Sequence, residues 1–205
     1  GQDTETVWHT PKGDLRQIRR TAPDGRTSYL AEHVIKSADD LPAFVYAMND
    51  QQFKIAEDTV TEIRNRRELI GDQGLQCRGM PGTPLGMLIR VYAGPETTAY
   101  LTVDAPDALK DLFSVMEDNH MHQLSQVIEH TDIEVFLGMD DTSTTTQSPA
   151  MFEEYCVDYT NRIADYVHAQ GRYYWHHSCG LIRNLLPLYR KTRINGVHAY
   201  TVPPT

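Results

Sequence analysis

The pair His177-x-Cys179, inside the run HHSCG, is the sharpest chemical feature of this 205-residue sequence. Side chains two positions apart in extended chain point the same way, so an imidazole and a thiol at this spacing can reach one centre. Imidazole nitrogen and thiolate sulfur both suit zinc, and a catalytic zinc usually takes three protein ligands plus one open position. Cys77, His176, His198, Asp140 and Asp141 are the choices for the missing ligand. The same pair also reads as a loop-bonded histidine beside a small packed cysteine. Further donors gather at the ends of strand-like segments: Cys77-Arg78-Gly79-Met80, Gly138-Met139-Asp140-Asp141, and His198 with Tyr200. Such polar crowding serves chemistry better than packing. It makes Asp140 and Asp141 the catalytic choices, and Arg78, His198 and Tyr200 the substrate-binding ones.

These segment ends must be brought together by the chain between them. Residues 1–37 read as an antiparallel meander, with ETVWHT, DLRQIRRT and TSYLAEHVI separated by the turn chemistry of PKG and APDG. Ser37 is expected as an N-cap, with Asp39 and Asp40 near the positive end of the first helical turn. The spacing of Phe53, Ile55, Val60, Ile63 and Leu69 predicts an amphipathic helix from Asp50 to Ile70. A long helical region from Leu85 to Glu129 is interrupted at Gly94-Pro95 and Ala105-Pro106. Ser148-Pro149 opens a helix that runs to His168, and Leu181 to Lys191 forms another. Between these lie four predicted strands, 75–79, 133–139, 172–177 and 197–201. Strands alternating with helices predict right-handed crossovers and a parallel sheet, either doubly wound or a (β/α)8 barrel. In both architectures chemistry belongs at the carboxyl ends of the strands.

The remaining polar and aromatic residues receive blander readings. His120, His122 and His130 share no metal register on their predicted helix and are read as surface or packing. Cys156 and the run Tyr173-Tyr174-Trp175 are read as core. Without a G-x-G-x-x-G, a P-loop or a G-x-S-x-G elbow, dinucleotide, nucleotide-hydrolysing and serine-hydrolase readings fall away.

Composition bounds the class. With 40% hydrophobic and 23% charged residues the chain is an ordinary globular one. Its 19 Lys and Arg against 28 Asp and Glu give a net charge of −9, unsuited to general nucleic-acid binding. Arg16, Arg19 and Arg20, like Arg64, Arg66 and Arg67, read as element surface. No apolar stretch reaches membrane-spanning length, and GQDTETVWHT lacks the features of a secretory signal. A leading Gly without Met reads as a processed or engineered start. Three cysteines, an odd count, argue for free thiols and a cytoplasmic, reducing compartment.

The ordered combination is similar to a known family. The acidic strand end GMDD, the Ser148-Pro149 helix start, the helix ending at Gly171, and His177-x-Cys179-Gly180 occur in its order. The Leu-Leu-Pro helix, the Gly196-Val197 strand and the Pro-rich exit complete it. Together they resemble the later part of the uroporphyrinogen decarboxylase (URO-D) superfamily. LRQIRRTAPDGRTSYLAEHVIKSADDL resembles the meander and first helix that precede a barrel strand there. The resemblance implies a (β/α)8 TIM-type barrel with its site at the carboxyl rim. Residues 1–37 would be an N-terminal meander extension and 38–205 a partial barrel.

Two activities come with that resemblance. One is zinc-dependent methyl transfer between a corrinoid carried by a partner protein and a thiol such as coenzyme M, which implies zinc on His177 and Cys179. The other is metal-free decarboxylation of uroporphyrinogen, a tetrapyrrole of porphyrin biosynthesis. The His-x-Cys-Gly motif favours the first branch. Homodimers are also implied. Two departures stand out: the branch's further cysteine ligand belongs to a strand beyond Thr205, and the decarboxylase's early arginine-and-aspartate motif has no counterpart. A complete barrel needs about 250 residues. The expectation is therefore an incomplete barrel, from a longer protein or as a non-catalytic interaction domain.

Overall fold

A computed structural model of the chain describes residues 2–199. Tyr200, and the end of the predicted 197–201 strand, lie outside the described residues. Three antiparallel strands, β1 (Asp3–Thr10), β2 (Gly13–Thr21) and β3 (Ser28–Glu32), come first, followed by α1 (Leu41–Asn49) and α2 (Glu57–Ile70). Then follow β4 (Cys77–Pro81), α3 (Pro84–Met87), α4 (Gly94–Asp104), α5 (Pro106–His130) and β5 (Val135–Met139). The chain continues through α6 (Pro149–Tyr155), α7 (Val157–Ala169), β6 (Tyr173–His177), α8 (Leu186–Tyr189) and β7 (Gly196–His198). Two compact units result, one from Gly1–Gln51 and Met87–Met116, the other from Gln52–Gly86 and Glu117–Thr205.

In the first unit the meander forms as its turn residues require, and Ser37 caps the turn before α1. Its hydroxyl accepts from the Asp39 N–H at 3.3 Å while the Asp40 carboxylate accepts from the Ser37 N–H at 3.2 Å. This reciprocal arrangement satisfies backbone donors that a helix start leaves open. Phe44 of α1 stacks on Trp8 of β1 with ring centroids 5.8 Å apart and meets Tyr92 at 4.8 Å. The break at Gly94 is set by a positive φ of 79°, and an added Cβ would approach the His33 ring at 3.1 Å.

The second unit carries the parallel sheet, in the order β4-β5-β6-β7. Strands consecutive in both sequence and space, joined by right-handed crossovers, put the connecting helices on one side of the sheet, and α5 and α7 do pack against the same face. That is the winding of a TIM-type barrel rather than of a doubly wound sheet, and the four strands among the described residues form part of one. On the helix side Met80, Phe136 and Tyr174 pack against Leu124, Val127 and Ile163. Burying Phe136 and Tyr174 alone contributes about 1.5–3 kcal/mol each.

Four expectations change. Tyr173-Tyr174-Trp175 is not core throughout, because strand alternation buries Tyr174 and leaves Tyr173 and Trp175 48% and 39% exposed. The helix expected from Asp50 begins only at Glu57. Phe53 and Ile55 reach the core from extended chain, and the Phe53 carbonyl bonds His122 Nε2 at 3.1 Å. The helix expected from Ser148 is broken at Cys156, whose φ of −114° ends α6, and α7 starts afresh. The helix expected over Leu181 to Lys191 shrinks to a 3-10 turn, Arg183–Leu185, followed by α8. Leu181 cannot join it, since its N–H donates to Ser143 Oγ at 3.2 Å and its carbonyl accepts from the Thr144 N–H at 2.9 Å.

Candidate metal centre

The parallel register sets Pro81, Met139 and His177 side by side across the sheet, with His198 of β7 next in line. Just past these positions the chain leaves the sheet, and the polar crowding expected at the strand ends is present. Backbone alternation sorts it into two sets on opposite sides.

The accessible set is Asp141, His177 and Cys179, whose donor atoms all lie within 4.8 Å of one another. Cys179 Sγ donates to Asp141 Oδ1 at 3.2 Å, and His177 Nε2 stands 3.4 Å from the same oxygen. Tetrahedral zinc with bonds of roughly 2.0–2.3 Å wants its donors about 3.3–3.8 Å apart; the donor types suit zinc, and the two separations from Asp141 Oδ1, 3.2 and 3.4 Å, are close to that spacing. The second ring nitrogen of His177 is engaged by His198, Nδ1 to Nδ1 at 2.8 Å, one donating and the other accepting. A metal-binding imidazole is commonly held through its other nitrogen in this way.

The buried set consists of Asp140, His176 and Ser178, at most 1% exposed. Asp140 Oδ2 accepts from the Thr83 hydroxyl at 2.6 Å and faces His176 Nε2 at 3.4 Å. His176 Nδ1 meets the Tyr189 hydroxyl at 3.0 Å, and that hydroxyl meets Ser178 Oγ at 2.8 Å. Burial pushes the Cys156 thiol and the Tyr174 and Tyr189 phenols up, and the nearby Asp140 carboxylate adds to each shift. These groups therefore stay protonated through the neutral range and can act as donors.

Other sequence choices fall elsewhere. Cys77 opens β4, at the end of the strand away from the cluster, and burial raises its thiol. Arg78 shares a sheet face with Met80, opposite the face of Pro81 and His177, so the structure does not bring it to the cluster. His198 does arrive, as a partner of His177. Thr83 and Tyr189 escaped the sequence reading because their polar atoms act from a loop and a short helix. The alternation of His176 and Ser178 against His177 and Cys179 was the available signal for the two sets.

A family model described as Uroporphyrinogen decarboxylase (URO-D) matches residues 19–201. The chain belongs to this family. No curated protein matches it. Among solved structures the URO-D chain is similar to a methyltransferase from Methanosarcina mazei, at 17% identity and a TM-score of 0.52. The alignment covers 81% of the URO-D chain and 46% of the other, so the chain spans about half that protein's length. This likeness concerns the fold, and it agrees with the barrel-type winding of the URO-D sheet. Among the described residues no helix is long and apolar enough to cross a membrane.

Proposed function

We propose that the chain carries a zinc-dependent methyl-transfer site, in which a methyl group from a corrinoid-bearing partner protein passes to a small thiol. The convergence of Asp141, His177 and Cys179 carries this reading. The fold likeness to a methyltransferase supports the same direction. Zinc bound there would hold an acceptor thiol as its thiolate near neutral pH. His177 would bind through Nε2 while His198, on Nδ1, fixes the plane of the ring. Cys179 must lose its proton to become a ligand. Asp141 Oδ1, 3.2 Å from the sulfur, would take that proton and release it to solvent, its side chain being 43% exposed, before serving as the third donor.

Decarboxylation of a tetrapyrrole, the activity that names the family, is the second reading, favoured by family membership itself. It requires cations to hold the substrate's carboxylates. Instead the cluster offers an acidic Asp141, and Arg78 belongs to the other sheet face.

Metal analysis after reducing, zinc-replete purification separates the two. Stoichiometric zinc that disappears in both His177→Ala and Cys179→Ala supports methyl transfer. A well-folded parent chain without zinc overturns it. A methylated corrinoid and a simple thiol, assayed with the loaded protein, then test the reaction.

A further inference from the structure

We infer that the buried chain Ser178–Tyr189–His176–Asp140–Thr83 is a positioning network that sets the geometry of the metal centre from behind. This inference rests on the zinc reading above. Each candidate ligand is the immediate neighbour of a network member: Asp141 of Asp140, His177 of His176, and Cys179 of Ser178. Consecutive residues of extended chain face opposite ways, as at His176–His177, and Asp141 sits in a tight turn closed by the Thr142 N–H on the Asp140 carbonyl at 2.7 Å, so fixing the buried residue fixes the backbone from which its neighbour projects.

The donors run in one direction. With a proton on Nε2, His176 points it toward the Asp140 carboxylate at 3.4 Å, where the other tautomer would oppose a lone pair to negative charge. Its Nδ1 then accepts from the Tyr189 hydroxyl, whose oxygen accepts from the Ser178 hydroxyl. At the far end the Thr83 hydroxyl donates to Asp140 and accepts from the Gly86 N–H at 3.0 Å. Ser178 is tied a second time, its N–H donating to the His198 carbonyl at 3.1 Å, which anchors β7 and the partner of His177. His176 Nε2 makes no hydrogen bond in this arrangement, and its 3.4 Å approach to Asp140 is an electrostatic contact. A buried polar atom without a hydrogen bond costs stability, so the ring's place in the network is not explained by stability alone.

The walls are built to match. An added Cβ on Gly86 would stand 1.7 Å from Asp140 Oδ1, and one on Gly138 would stand 2.3 Å from the Tyr174 hydroxyl and 3.2 Å from His176 Cδ2. Only glycine admits the carboxylate and the ring at these places.

The test uses the full chain with Tyr189→Phe, which removes one oxygen from the middle of the network, and Ser178→Ala at its end. Tyr159→Phe is the control, a buried phenol that bonds His120 and the Gly82 carbonyl rather than any network side chain. Zinc affinity is read by competition with a chromophoric chelator, and the ligand field by the visible spectrum of the cobalt-loaded protein. Partners bonded directly to metal ligands are worth about ten- to a hundredfold in affinity, and loss of the Tyr189 or Ser178 hydroxyl, one residue removed from the ligands, should cost about tenfold, the low end of that range. That loss, with a shifted cobalt spectrum, is expected for Tyr189→Phe and for Ser178→Ala, while Tyr159→Phe keeps the parent values. Parent-like affinity and spectrum in both network variants overturn the positioning role and leave the zinc reading standing. A parent chain that binds no zinc overturns both.

Discussion

Gly86→Ala is the sharpest test of how tightly the buried carboxylate is held. The new methyl carbon would fall 1.7 Å from Asp140 Oδ1 and 2.6 Å from Cγ. Asp140 has no free direction in which to yield. It is 1% exposed, and Oδ2 is fixed by the Thr83 hydroxyl at 2.6 Å. Thr83 is in turn held by the Gly86 N–H. Overpacking costs about 1–3 kcal/mol, and losing a hydrogen bond to a charged acceptor costs about 1.5–3 kcal/mol. Gly86 lies in α3, where alanine's helix preference returns about 1 kcal/mol. The net is a destabilisation of roughly 1.5–5 kcal/mol, which lowers the Tm of a chain this size by about 3–20 °C. Thermal unfolding followed by circular dichroism measures it. Gly74→Ala is the companion variant, since its methyl meets only Ile70 Cγ2 at an ordinary 3.5 Å. Should Gly86→Ala unfold within about 0.5 kcal/mol of the parent, the close packing around Asp140 is refuted.

Three further outcomes are expected. Burial pushes His120 down from 6.5 to about 4, so the folded state binds fewer protons than the unfolded chain between these values. Its contribution is present above pH 6.5 and is lost as pH falls toward 4, about 3 kcal/mol at most. His120→Gln should flatten urea-unfolding stability across that window, and an unchanged slope would assign the acid sensitivity elsewhere. Ser148→Ala removes the oxygen that accepts the Met151 N–H at 3.2 Å. It should cost about 1 kcal/mol, largely restored by Ser148→Asp, as read from thermal melts. Zinc affinity should weaken steadily from pH 8 to pH 6, because a thiol and an imidazole must be deprotonated to bind. A flat competition profile over that range would remove Cys179 and His177 as ligands.

Much of the fold was legible because its signals are local. PKG and APDG make turns wherever they stand, Ser37 caps through its nearest neighbours, and the Val135–Met139 run is apolar enough to be buried on the helix side and half-covered on the other. The misreadings came where tertiary contacts overrode periodicity. Phe53 and Ile55 have helical spacing yet pack from extended chain, and Leu181 gives its backbone to Ser143 and Thr144 instead of a helix. At the site, the residue types were readable but their sorting was not used. His176 and His177 look equivalent in sequence, yet one is sealed under the sheet and the other reaches Asp141. Tyr189 carries no sequence mark at all, since its role depends on where a short proline-containing helix happens to return.

The most direct measurement is zinc K-edge X-ray absorption on the loaded full chain. One sulfur neighbour at about 2.3 Å, with nitrogen and oxygen neighbours at about 2.0–2.2 Å, is the expected first shell. The sulfur contribution should vanish in Cys179→Ser and persist in Cys77→Ser. A shell of oxygen and nitrogen alone, or a sulfur signal that survives the loss of Cys179, would contradict a centre built on Asp141, His177 and Cys179.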